Sequence, residues 1–201
     1  MDKSKELKKL NRRMQATLDP IFDDPAKVWV FGEGHAEAAL MLIGEAPGKE
    51  EVRQGRPFVG QAGKNLDEFL DMLGIEREDI YITNAVKFRP VKVNPETGRV
   101  SNRTPSREET ALCAGWLFQE IAVIQPRLVV TLGNTPLRVV TDDRKSVIGS
   151  MHGRVHSLSI GPQGQPVALF PLYHPASIIY RRELRSVYEE DILELKRIFL
   201  G

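Results

Sequence analysis

Short apolar runs rich in β-branched residues alternate with helical patterns along this chain, and that alternation restricts the fold more than any other feature. Val28-Trp29-Val30-Phe31, Leu40-Met41-Leu42-Ile43, Ile80-Tyr81-Ile82 and Leu128-Val129-Val130-Thr131-Leu132 have the length and composition of strands. Between them Leu66, Phe69, Leu70 and Leu73 recur at helical spacing, with Gly74 as a stop. Ser106-Arg107-Glu108-Glu109 has the capping-box pattern and opens a helix in which Cys113, Leu117, Ile121 and Ile124 share a face, ending before Pro126. Thr135-Pro136 starts another helix, and Tyr188, Ile192, Leu195 and Phe199 stripe a last one. Residues 147–172 carry short strand-like pieces broken at Gly153, Gly161-Pro162 and Gly164, and residues 1–16 read as a basic helical lead-in. Such alternation predicts an α/β fold, a parallel sheet covered by helices on both faces. Ligands gather at the carboxyl ends of strands in such sheets. Gly44–Gly48, Asn84, Gly133-Asn134 and His174 each follow an apolar run, so the architecture brings them to one rim.

A chain of 201 residues is expected to form one domain, residues 1–201, with 1–27 as an N-terminal lead-in. No run approaches the ~20 apolar residues of a membrane span. Met1-Asp2-Lys3-Ser4 leads into a polar segment, so no secretory signal is expected. The one cysteine, Cys113, has no intramolecular disulfide partner, which suits a reducing cytoplasm. Lys and Arg total 28 against 27 Asp and Glu, a balance that by itself does not announce nucleic-acid binding. The distribution is less even. Lys87, Arg89, Lys92, Arg99, Arg103 and Arg107 lie together with Glu96 as the lone acid, and Arg181, Arg182 and Arg185 form a second group. Both read equally well as solvated loops or as a phosphate-binding face.

Four residues carry the chemistry, and each has a plain structural reading beside the functional one. Glu45, in Gly44-Glu45-Ala46-Pro47-Gly48, is either a solvated turn residue or a carboxylate that orients a water at a strand end. Phe58, between Pro57 and Val59-Gly60, is either core or a stacking platform for a base held in a rigid loop. Asn84 is either a cap or a base reader. A fixed Asn amide matches the N3–H donor and O4 acceptor of uracil and is mismatched with cytosine. His174, before Pro175, is either structural or a donor to charge developing on a leaving group. His35, His152 and His156 have no ligand-like spacing.

With these residues in place the chain resembles the uracil-DNA glycosylase superfamily, above all its family 4 branch. The likeness runs from about Val30 to the C-terminus through Val30-Phe31-Gly32-Glu33-Gly34, Gly44-Glu45-Ala46-Pro47-Gly48, Gly55-Arg56-Pro57-Phe58-Val59-Gly60 with Ala62-Gly63, Thr83-Asn84-Ala85-Val86-Lys87, Leu132-Gly133 and His174-Pro175-Ala176-Ser177. The resemblance implies a three-layer α/β/α sandwich around a central, mainly parallel four-stranded sheet. It also implies a monofunctional enzyme of base-excision repair that flips deoxyuridine out of DNA and hydrolyses its N-glycosidic bond. By motif position it assigns Glu45 to water orientation, Ala46 to a backbone contact with the base and Glu51 to the neighbourhood of uracil C5. Phe58 becomes the stacking ring, Asn84 the base reader and His174 the group that stabilises the uracil anion. Lys87, Arg89, Ser177, Ile178 and Arg181 are expected to contact DNA, with Ile178, Ile179 and Tyr180 filling the gap left by the flipped nucleotide.

Two departures stand out. Family 4 carries four cysteines for an iron–sulfur cluster; here Phe88 stands after Lys87 where that family has cysteine, and Cys113 is the lone thiol. No cofactor and no metal site are therefore expected, and packing of Phe88 is expected to hold the segment from Lys87 to Arg107 instead. Ala46 stands where the best-known branch has Asp. A DNA-binding relative with weakened catalysis and a glycosidase of free nucleosides or nucleotides remain alternatives. The basic run from Lys87 favours DNA, and the protein is expected to act as a monomer without a membrane.

Overall fold

A computed structural model describes residues 2–24, 27–161, 164–177 and 182–201. Ile178 and Arg181, expected to contact DNA, and Ile179 and Tyr180 beside them lie outside the described residues. The elements in chain order are α1 (Lys3–Phe22), β1 (Glu33–Gly34), β2 (Leu40–Gly44), α2 (Lys49–Gln54), α3 (Gln61–Leu73), β3 (Tyr81–Asn84), β4 (Val91–Val93) and β5 (Val100–Asn102). They continue with α4 (Arg107–Ile124), β6 (Leu128–Leu132), α5 (Asn134–Thr141), α6 (Ile148–Met151), β7 (His156–Ile160), β8 (Gln165–Leu172) and α7 (Arg185–Leu200).

The main sheet has the order β1-β3-β2-β6-β8-β7. Its middle strands β3, β2, β6 and β8 run parallel, and β1 and β7 close the edges antiparallel. Among the described residues the sheet thus has six strands rather than the four expected, the four parallel ones forming its centre. Both faces are covered. Leu40, Leu42, Val130 and Leu172 point towards α3 and α7, where Leu66, Phe69, Ile192 and Leu195 meet them. Met41, Ile43, Val129 and Leu169 point the other way, against Leu117, Ile121 and Leu137 of α4 and α5. Burial on both faces explains why these strands read as unbroken apolar runs instead of alternating ones.

The helix ends follow local chemistry. Ser106 Oγ accepts from Glu109 N at 3.2 Å and Glu109 Oε2 accepts from Ser106 N at 2.7 Å, the reciprocal capping box. Gly74 ends α3 with φ of 73°, a conformation that suits a residue without Cβ.

Val28-Trp29-Val30-Phe31 is not a strand. This segment is tied by Val30 N–H to the Lys87 carbonyl at 2.7 Å, and its rings turn into a third cluster. There Met14 and Leu18 of α1 pack with Val86, Phe88 and Cys113, bordered by Phe22, Trp29, Phe31 and Trp116. Phe88 meets Phe22 and Trp29 edge to face at centroid distances of 4.7 and 5.7 Å, and Lys27 Nζ lies 4.2 Å from its ring centre. The run from Lys87 to Arg107 is likewise not a plain loop: β4 and β5 pair antiparallel as a hairpin of their own.

Candidate active site

The carboxyl ends of β2, β3 and β8 open on a cleft of about 370 Å³ whose wall includes Ala46, Glu51, Phe58, Asn84 and His174. Sequence-distant residues meet here because parallel strands put their following turns on one rim. β2 and β3 pair in register, Gly44 opposite Asn84, so the Glu45 turn and the Asn84 amide start side by side.

Gly44 explains how the ring and the amide come so close. A Cβ there would lie 2.5 Å from Phe58 Cζ and would also collide with Asn84 Oδ1. Phe58 itself has φ of 52°, a left-handed backbone that costs a non-glycine residue energy and persists only where its surroundings impose it. The surroundings here are specific. Gly63 lets the Phe58 carbonyl pass where a side chain would block it. Arg77 Nη2 donates to the Pro57 carbonyl at 2.7 Å. Glu51 Oε1 accepts from Val59 N at 3.1 Å and Gly60 N at 2.8 Å, and its Oε2 accepts from Gly48 N at 3.0 Å. One buried carboxylate therefore fastens the turn after β2 to the loop that carries Phe58. Arg77 gives no signal in the sequence, and Glu51 is committed to backbone N–H groups on both sides of the cleft.

The Phe58 ring lies 6.2 Å from the His174 ring, centre to centre, with 24° between the planes. His174 Nδ1 accepts from Ala176 N at 3.1 Å. Burial pushes its pKa below the ordinary imidazole value. A neutral ring whose Nδ1 is an acceptor carries its proton on Nε2. Ser177 closes the same turn, its N–H donating to the His174 carbonyl at 2.7 Å. Asn84 is buried at the end of β3, and its side-chain amide makes no hydrogen bond among the described residues.

Glu45 stands apart from that wall. Its Oε2 accepts from Thr135 Oγ1 at 2.5 Å, at the start of α5, and its carbonyl accepts from Val86 N at 3.0 Å. The sequence marks Thr135 only as a helix start. Gly133, two residues earlier with φ of 90°, abuts His174: a Cβ there would lie 3.4 Å from His174 Cβ.

The structure corrects one expected DNA contact. Lys87 is 2% exposed, and its ammonium donates to Glu120 Oε2 at 2.6 Å, to the Asn84 carbonyl at 2.7 Å and to the Thr83 hydroxyl. Tyr81 completes the group by donating to Glu120 Oε1 at 2.8 Å. Lys87 is an internal cation that supports the end of β3 and is not available to a phosphate. Arg89 is half-buried, and its Nε donates to Asn102 Oδ1 at 2.7 Å, on the cleft wall.

Cys113 has no exposed surface, packs among the apolar and aromatic side chains of the third cluster, and has its thiol pKa pushed up by burial. Among the described residues no three His, Cys, Asp or Glu converge as a metal site. This apolar set does not fit a four-thiolate cluster.

Comparison with known proteins agrees with the geometry. The model of the uracil DNA glycosylase superfamily matches residues 31–195. The Type-4 uracil-DNA glycosylase of Saccharolobus solfataricus is 37% identical over 194 residues, covering 89% of this chain and 85% of that protein. The Type-4 uracil-DNA glycosylase of Thermotoga maritima is 39% identical over 169 residues, covering 83% and 81%. The crystal structure of Pedobacter heparinus SMUG2 shares the fold, with a TM-score of 0.53 at 13% identity over 82% of this chain and 77% of that one.

Proposed function

The chain belongs to the uracil DNA glycosylase superfamily, and on that premise we propose how its cleft works. It is a uracil-DNA glycosylase, a monofunctional hydrolase of base-excision repair. It takes a deoxyuridine flipped out of DNA and breaks the bond between uracil N1 and the sugar. The observation that carries this reading is the buried Asn84 amide, which faces a cleft walled by Phe58 and His174 and has no hydrogen-bond partner among the described residues.

Phe58 receives the face of the base and Asn84 reads its N3–H and O4. As the glycosidic bond breaks, its electron pair moves onto the uracil ring and the sugar becomes oxocarbenium-like. The Nε2–H of neutral His174 donates to the anion forming on the base, and the backbone at Ala46 supports it. Glu45, with Oε2 held by Thr135, has Oε1 left to orient the water that attacks the sugar carbon. The products are free uracil and an abasic site, and no covalent enzyme intermediate is needed. Arg89 and Ser177 contact the DNA strand beside the cleft; Ile178 and Arg181, outside the described residues, remain candidate DNA contacts on the sequence alone. The protein works as a monomer in the cytoplasm without a cofactor in the reaction.

The test is release of uracil from an oligonucleotide panel carrying U, hypoxanthine or T, run beside free deoxyuridine. Release from U-containing DNA, with none from T-containing DNA or the nucleoside, is the expected result. Cleavage of the nucleoside alone would make this a glycosidase of free nucleosides.

A further inference from the structure

The hairpin of β4 and β5 leaves an apolar face open to water, and that face is continuous with the cleft. The register pairs Val91 with Asn102, Lys92 with Ser101 and Val93 with Val100. Residues directly opposite, and residues two apart on one strand, share a face. Val91, Val93, Val100 and Asn102 therefore lie on one side. The valines are 37%, 60% and 50% exposed, and Asn102 is itself part of the cleft wall. Three neighbouring valines on a small hairpin, running outward from a ligand cleft, form a strip and not a scatter of single exposed residues.

The hairpin is also tied at both ends, which a plain solvated loop has no need to be. Asn94 Oδ1 accepts from Glu96 N at 2.9 Å and Thr97 N at 3.0 Å, and Gly98 takes φ of 65° to close the turn. At the other end Arg103 Nε donates to the Val91 carbonyl at 3.0 Å while its Nη atoms grip Glu109, the capping residue of α4, at 2.6 and 2.7 Å. Arg89 holds Asn102. A lone two-stranded hairpin is marginal in water, and these ties compensate. The cations belong to the other face: Lys92 pairs with Ser101 there and Arg99 precedes Val100, their side chains meet no acid among the described residues, and Glu96 in the turn is the one acid of the segment.

We propose that the Val91–Val93–Val100 face is a platform for the base that neighbours the flipped deoxyuridine in the DNA strand. Flipping strips one stacking partner from that neighbour and exposes its ring face, and an apolar strip beginning at the cleft wall is placed to cover it. The inference rests on the glycosylase reading and adds a second binding surface to it.

The experiment uses the full chain and the double variant Val93→Thr/Val100→Thr, which keeps β-branching and shape while removing apolar surface. Uracil release is measured on a single-stranded oligonucleotide with normal neighbours and on oligonucleotides in which the 5′ or the 3′ neighbour is an abasic spacer. On the normal substrate the variant should raise KM on the order of tenfold, the scale on which small apolar groups discriminate, and leave kcat within about twofold. On one of the two spacer substrates the wild type should lose as much, and variant and wild type should then be equal, which also identifies the side. An unchanged KM, or an equal loss on all three substrates, overturns the platform. So does a dimer seen by sedimentation in the wild type and absent in the variant, since a second copy would then cover the strip. If the wild type releases no uracil at all, the glycosylase reading has failed and not the platform alone.

Discussion

At the scale of single residues, the site depends on polar groups already held by partners within the protein. Asn84 is the exception, with its amide left for a ligand. Asn84→Ala should lower uracil release by about 100-fold or more, because the flipped base then keeps unpaired buried groups beside a developing charge; unchanged kinetics in a folded variant would remove Asn84 as the base reader. His174 sets the pH dependence. Its pKa is lowered by burial, so the ring stays neutral until the pH falls below the ordinary value of about 6.5. Protonating Nδ1 would then set one N–H against that of Ala176 and break the turn. The acid limb of kcat/KM should therefore fall below about 6.5 and disappear in His174→Gln at a reduced rate. Stability is lost in the same range, since the unfolded chain takes up the proton first as the pH drops. A limb above that range, or one that survives the substitution, would assign it to another group. Asn84 and His174 are legible in the sequence because each closes an apolar run. Lys87 is not: it stands in a basic run like a surface cation, and Glu120, which neutralises it inside the protein, lies in a helix far along the chain. Thr135 and Arg77 are hidden for the same reason, since a partner across the fold leaves no local pattern.

At the scale of elements, the strands read best where both faces are buried, and worst where rings replace a ladder. β2 and β6 occupy the apolar runs that predict them. Val28-Trp29-Val30-Phe31 has strand composition, yet its rings are drawn into the cluster built on α1 and Phe88. Tertiary packing overrides β-propensity there. The hairpin of β4 and β5 escapes a reading of the sequence because its valines face water and polar turn residues surround them, so no periodic burial marks it. The aromatic cluster occupies the place of Phe88, where the family 4 resemblance implies a cysteine, and it joins α1, α4 and the end of the Asn84 segment. Phe88→Ala should cost ~3–5 kcal/mol of unfolding free energy, the range for a large aromatic side chain removed from a packed core. Urea denaturation checks it, and adding iron to the medium should not recover the loss. A variant as stable as the wild type would show that this cluster does not hold the fold together.

At the scale of the whole molecule, a net charge of +1 supplies almost no general attraction to DNA, so affinity must come from where the cations stand. Counting charges from Lys87 onwards overstates that face, since Lys87 is internal and Arg103 is paired with Glu109. Arg89, Lys92, Arg99 and Arg107 remain, the first three on or beside the hairpin that borders the cleft and Arg107 at the start of α4. Each phosphate neutralised by such a group releases counterions, so binding to uncleavable uracil-containing DNA should weaken with salt on a log–log slope of about −0.7 to −0.9 per phosphate. Neutralising Lys92 and Arg99 together should flatten the slope by about two phosphates' worth. Val93→Thr/Val100→Thr should weaken binding with the slope intact, because an apolar contact releases no ions. That contrast separates the two halves of the hairpin: its charge is read in the salt dependence and its valine face in affinity at fixed salt. A slope unmoved by removing both cations would place the phosphates on another face, and the charge of the hairpin would then have no part in holding the strand.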